Sequence, residues 1–133
     1  MKKLLVLAVI SLFITSTVKS QVKTYTLSDV TVIFTDSLTS LKSLKFYPNP
    51  VTVKIDEKET LAVVDIEKAF LAIYRIINIY TFEDNYGRPY TVYLMIDVVN
   101  KSSAAVKVID SSYVIYTIED VIISGPVKEY SVN

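Results

Sequence analysis

The sequence predicts an all-β fold, a single antiparallel small barrel or sandwich of about seven to nine short strands, preceded by a signal peptide. Three observations predict it. Apolar and polar residues alternate with a period of two in most segments. Clusters of Asn, Asp, Ser, Gly and Pro separate those segments at short intervals. No convincing long amphipathic helix is visible. Short connections favour antiparallel pairing between neighbours in sequence.

Met1-Lys2-Lys3 followed by the apolar run Leu4 to Ile14 has the form of a secretory signal, and Val18-Lys19-Ser20 offers a cut ahead of Gln21. The run ends by Val18, short of the roughly 20 residues that span a bilayer as a helix. Residues 1–20 are therefore expected to be a signal peptide and residues 21–133 a single β-domain without a membrane span, secreted or periplasmic. The signal takes Lys2, Lys3 and Lys19 out of 14 basic residues and none of the 14 acidic ones, leaving a net charge of about −3. Nothing in that balance attracts a phosphate backbone, so no nucleic-acid partner is expected.

Tyr25, Leu27, Val30, Val32 and Phe34 form a first strand whose alternation slips at Ser28-Asp29, where a bulge or bend is expected. Ser37 to Ser43 reads as a polar connection. Leu44, Phe46 and Tyr47 lead into Pro48-Asn49-Pro50, whose prolines cannot donate to a ladder. Val51, Val53 and Ile55 alternate with Thr52 and Lys54, the polar Asp56 to Glu59 turns, and Leu61 to Ile66 returns; either Leu61 and Val63 or Ala62, Val64 and Ile66 face inward.

The stretch Phe70 to Asp97 is the longest run with one preference, a long hairpin around Asn85-Tyr86-Gly87-Arg88-Pro89. Its first arm is β-branched and aromatic from Ile73 to Phe82, which places a strand from about Ile73; Asp65 to Ala72 would also suit a short helix. On the second arm, Tyr90, Val92, Leu94, Ile96 and Val98 alternate with Thr91, Tyr93, Met95 and Asp97. The more aliphatic set is expected inside, with Tyr93 outside. Ala104 to Ile109 and Tyr113 to Ile118 are further strands. Val121 to Ile123 extends the last or stands alone, Gly125-Pro126 punctuates, and Val127 to Asn133 is expected to form a final edge or fray.

The chain has no histidine and no cysteine, so Ser-His and Cys-His nucleophile pairs and the common zinc sets cannot be built within it. Glu83-Asp84 and Glu119-Asp120 are adjacent pairs at strand ends, where alternation points neighbours apart rather than across a cleft. Asp97 lies within an apolar strand, and its ordinary reading is a residue near a strand end. No catalytic residue, metal ligand or cofactor is assigned.

Ten tyrosines and no tryptophan are the most unusual feature of the composition. Tyr80, Phe82, Tyr86, Tyr90 and Tyr93 gather at one end of the central hairpin, and tyrosine joins an apolar face to a polar tip suited to interfaces. Tyr86, Arg88, Tyr90 and Tyr93 are the candidate binding residues. The expected function is a non-catalytic domain that binds a protein or glycan partner. The alternative is a lipocalin-like carrier holding a small apolar ligand in a barrel interior.

Val51 to Asp56, Ile73 to Ile77, Tyr90 to Asp97 and Tyr113 to Ile118 together resemble the strand order of small uncharacterised secreted all-β proteins of Gram-negative bacteria. Those chains carry a signal peptide and an "ItID", a "Y-x-I-I" and a "tF-x-v-x-D" strand. The resemblance implies the fold and secretion and carries over no site residue. Tyr47-Pro48-Asn49-Pro50 is similar to the opening of the sorting domain of type IX secretion. That domain continues with glycine-centred turns, whereas only Gly87 and Gly125 follow here.

Overall fold

The computed structural model describes residues 21–36 and 41–133. The expected signal peptide lies outside them. The described chain is all-β, with ten strands: β1 (Val22–Leu27), β2 (Val30–Asp36), β3 (Leu41–Tyr47), β4 (Val51–Asp56), β5 (Leu61–Ile66), β6 (Phe70–Glu83), β7 (Pro89–Asp97), β8 (Ser103–Ile109), β9 (Tyr113–Ile118) and β10 (Val121–Val132). Eight of them, in the order β1-β4-β5-β6-β7-β8-β9-β10, close into an antiparallel barrel through pairing of β10 with β1, and β2 and β3 are added strands.

The topology is simpler than the numbering suggests. β1 and β2 both run antiparallel to β10, β1 along Val127 to Val132 and β2 along Val121 to Ser124. They are therefore one strand interrupted at Ser28-Asp29. β3 likewise leads into β4 through Pro48-Asn49-Pro50, so residues 22–36 and 41–56 make one long hairpin. The phase slip at Ser28-Asp29 marks the break: Asp29 takes φ 50°, and both Leu27 and Val30 are buried although three positions apart. Beyond the break, β2 and β3 leave the barrel wall at its lower end, where the β5–β6, β7–β8 and β9–β10 turns lie. The β4–β5, β6–β7 and β8–β9 turns lie at the upper end.

β10 refines the reading of the C-terminal segment, which is not frayed: it closes the barrel by pairing with β1, while above Pro126 its other side meets no described strand. It also runs without a break through Gly125-Pro126. At that point its partner changes from β2 to β1. Pro126 accepts the Ser28 amide through its carbonyl, at 3.2 Å, and its missing N–H falls where the ladder is already interrupted. Gly125 is buried at the same junction, and a Cβ there would lie 3.0 Å from the Ser28 carbonyl oxygen. The kink and the glycine fit one another.

Two further expectations change. Glu67 to Ala69 is a tight turn with Lys68 at φ 65° and the Ala69 amide donating to the Ile66 carbonyl at 2.9 Å, so there is no helix over 65–72 and β6 starts at Phe70. Pairing of Ile66 with Phe70 and of Asp65 with Leu71 leaves no residues for helical turns. β3 starts at Leu41, inside what the sequence suggests is a polar connection. On β5 the ambiguity is resolved with Ala62, Val64 and Ile66 inside.

The phase of β7 is opposite to the expected one. Tyr93 is 1% exposed and Met95 equally buried, whereas Leu94 and Ile96 are half-buried on the outer wall. Tyrosine belongs inside because its hydroxyl finds a partner there: Tyr93 donates to Glu57 Oε2 at 2.6 Å at the upper mouth. Lower down, Tyr74 and Tyr116 join hydroxyls across the barrel, their rings edge to face at 6.1 Å. No described buried side-chain polar atom lacks a partner. With Tyr25, these rings and the aliphatic side chains of β4, β5 and β8 occupy the interior.

Truncating Tyr93 to alanine should therefore cost about 3 to 5 kcal/mol, the range for a large buried aromatic, and Leu94→Ala about 1 kcal/mol. Urea midpoints of the two variants check the order. A larger loss at Leu94 would mean that the strand faces the other way.

Candidate functional site

The upper end of the β6–β7 hairpin gathers exposed Tyr80, Phe82 and Tyr86 with half-buried Tyr90. Phe82 and Tyr90 are directly opposite one another across the ladder, and Tyr80 pairs with Val92 on the same outer face. Their rings form a row, Tyr80 to Phe82 at 6.2 Å and Phe82 to Tyr90 at 5.3 Å, all within about 30° of parallel. Lys107 on the neighbouring β8 places its ammonium 4.3 Å from the centre of the Tyr90 ring. A cation over an aromatic face both covers the ring and lends the row a positive rim.

Asp84 organises the loop beyond this row. Its Oδ1 accepts the Tyr86 amide at 2.8 Å and the Arg88 amide at 2.9 Å, and its Oδ2 accepts Arg88 Nε at 2.7 Å. These bonds, the Arg88 amide first, hold the carboxyl below the usual aspartate range. Gly87 supplies the φ of 78° that the turn needs, and its amide donates to the Asp84 carbonyl at 3.0 Å. The result is a fixed loop that projects Tyr86, 85% exposed, with the Arg88 guanidinium 5.8 Å from its ring centre.

Of the four candidate binding residues, Tyr86, Arg88 and Tyr90 lie together at this end, and Tyr93 does not belong with them. It points into the barrel and bonds Glu57. Alternation with aliphatic neighbours places a tyrosine on the wet face of a strand, whereas this narrow barrel accepts a phenol whose hydroxyl reaches a carboxylate at the mouth. Tyr80 and Phe82 belong to the row and were legible as part of the aromatic cluster. Lys107 was not, since only the β7–β8 register brings it beside Tyr90.

Asp97 has a structural role. Its Oδ1 accepts the Val99 amide at 2.8 Å and the Asn100 amide at 3.1 Å and so shapes the β7–β8 turn. Glu119 and Asp120 are exposed in the β9–β10 turn. At the lower end, an apolar recess of about 270 Å³ opens between the β2–β3 hairpin and the barrel mouth, walled by Val32, Phe34, Tyr47, Phe70 and Val121 among others. Space for a small apolar molecule thus lies at the mouth rather than along the side-chain-filled axis. No helix among the described residues is long and apolar enough to cross a membrane.

Fold and site together define a closed eight-stranded antiparallel barrel with an aromatic row on one hairpin. No known protein family matches the chain, and neither a curated protein nor a solved structure proves similar to it.

Glu57 links the upper mouth to pH. Partial burial pushes its carboxyl up, but hydrogen bonds from the Tyr93 hydroxyl and from Lys23, whose ammonium lies 3.1 Å away, outweigh this and lower it. A group with a depressed native value stabilises the fold above its unfolded value, about 4.3, and that contribution is lost as pH falls toward the native value. Glu57→Gln should therefore flatten the acid limb of the stability curve below about pH 4.5. Urea titrations at a series of pH values check this; an unchanged acid limb would mean that Glu57 carries no part of it.

Proposed function

We propose that this chain is an exported, non-catalytic β-barrel domain that binds a protein partner through the upper end of the β6–β7 hairpin. One observation carries the reading: exposed Tyr80 and Phe82 and half-buried Tyr90 form a row that continues into the fixed loop bearing Tyr86 and Arg88. Aromatic residues and arginine are the side chains that most often dominate binding at protein interfaces, above all where the backbone beneath them is already ordered. Exposed Ile73 and Ile77 on β6 extend the apolar surface beyond the row, which favours a protein over a glycan. Export rests on the N-terminal pattern Met1 to Ser20.

A carrier function is the second reading. The apolar recess beneath the β2–β3 hairpin supports it, with the ligand at the barrel mouth.

The test is capture of partners from a cell-envelope extract by the purified protein, repeated with Tyr86→Ala and Arg88→Ala. Each substitution should weaken capture of the same protein by about 2 kcal/mol, a loss of roughly thirtyfold, and leave the urea midpoint unchanged. Capture that survives both substitutions would reject the site. Mass spectrometry of the protein from its host should find an N-terminus near Gln21, and an intact Met1 would reject export by cleavage.

A further inference from the structure

β6 is longer than the wall it belongs to. Its lower half pairs with β5 as far as Arg75, and the Ile76 amide makes a last bond on that side, donating to the Thr60 carbonyl at 2.8 Å. Above this point no described strand pairs with β6 on the side away from β7. The hairpin thus ends in an open backbone edge.

The register shows which residues face it. The Pro89 carbonyl accepts the Asp110 amide and the Asp97 amide donates to the Ser102 carbonyl, so the odd-numbered residues of β7 direct their backbone groups toward β8. Tyr90, Val92 and Leu94 therefore bond β6, through Phe82, Tyr80 and Asn78. Ile79, Thr81 and Glu83 turn their N–H and C=O groups outward. This segment has no lysine and no proline, the devices that ordinarily keep an edge from pairing. Of the other open edges among the described strands, β3 carries Lys42 and Lys45 and is followed by Pro48 and Pro50, and the upper half of β10, which meets β1 on one side only, carries Lys128 and Glu129.

We infer that the open edge of β6 pairs antiparallel with the same edge of a second copy of this chain, with Thr81 on the two-fold axis. The sequence of the edge is self-complementary in that register. Thr81 meets Thr81 and Ile79 meets Glu83, so about six backbone hydrogen bonds form. On the outer face Tyr80 of each copy lies across from Phe82 of the other, an aromatic cross-strand pair, and no like charges are opposed. Any other register opposes fewer of the outward-directed groups. A two-fold contact also closes on itself and uses up both edges, which a head-to-tail contact does not. The aromatic rows of the two copies join into one surface. The dimer does not rest on the partner-binding reading, because the backbone edge of Ile79, Thr81 and Glu83 carries it; it shares the outer face of Tyr80 and Phe82 with that site, whereas Tyr86 and Arg88 lie on the loop beyond the pairing.

Sedimentation velocity over a concentration series should give twice the chain mass for the purified protein. Thr81→Pro removes an outward N–H without touching the β7 ladder, and Thr81→Lys opposes two like charges; either should weaken dimerisation at least about tenfold while circular dichroism stays that of the parent. The chain has no cysteine, so Thr81→Cys introduces a single thiol. Opposed residues of a hydrogen-bonded pair have Cα atoms about 5.5 Å apart, within disulfide reach, so mild oxidation should cross-link this variant rapidly. Lys54→Cys on the outer wall should cross-link slowly. A parent that stays monomeric at every concentration would overturn the inference. So would a dimer undiminished by Thr81→Lys, or equal cross-linking of the two cysteine variants.

Discussion

The pairing of β1 with β10 is the constraint on which the rest of the structure depends. A twisted antiparallel sheet of this length has two edges, and only closure removes them. Here closure is made by one strand that serves β9 along Val121 to Pro126 on one side, and on the other serves β2 first and β1 afterwards. The change of partner requires the kink at Ser28-Asp29, and the kink requires a residue without a Cβ opposite it, which is Gly125. Ser28-Asp29 and Gly125, which stand nearly a hundred positions apart, are thereby coupled through a single point in the wall.

Closure also determines what the interior can hold. Inward residues of eight strands fill a narrow barrel, so large side chains must be distributed in height. Tyr93 stands at the upper mouth with Glu57, and Tyr74 and Tyr116 share a contact lower down. Each buried phenol has a partner for its hydroxyl, which makes burial of so many polar tips tolerable. Burial in turn raises the ionisation of Tyr25, Tyr93 and Tyr116 well above the ordinary phenol range, so the hydroxyls remain proton donors.

The strands and their class were legible because alternation and turn residues are local signals. The β4–β5 hairpin, the β7 and β8 strands and the slip at Ser28-Asp29 all follow from residues within a few positions of one another. Phase on β7 was not legible, because the choice between Leu94 and Tyr93 as the inward residue depends on Glu57, which the fold alone brings near. The role of Val127 to Val132 was hidden for the same reason: its partners Lys23 to Leu27 lie at the opposite end of the chain. For the site, the clustering of Tyr80, Phe82, Tyr86 and Tyr90 followed from the hairpin itself. Lys107, and the removal of Tyr93 to the interior, required the register of three strands.

The long hairpin of residues 22–36 and 41–56 has a consequence for how the chain acquires its structure. Strands β4 to β9 are joined by brief turns and can zip together in the order in which they are made. β1 has one neighbour, β4, available early, but its second neighbour arrives only when Val127 to Val132 have been synthesised. Closure of the cylinder therefore requires Val127 to Val132, the segment most distant in sequence from the strand it pairs with.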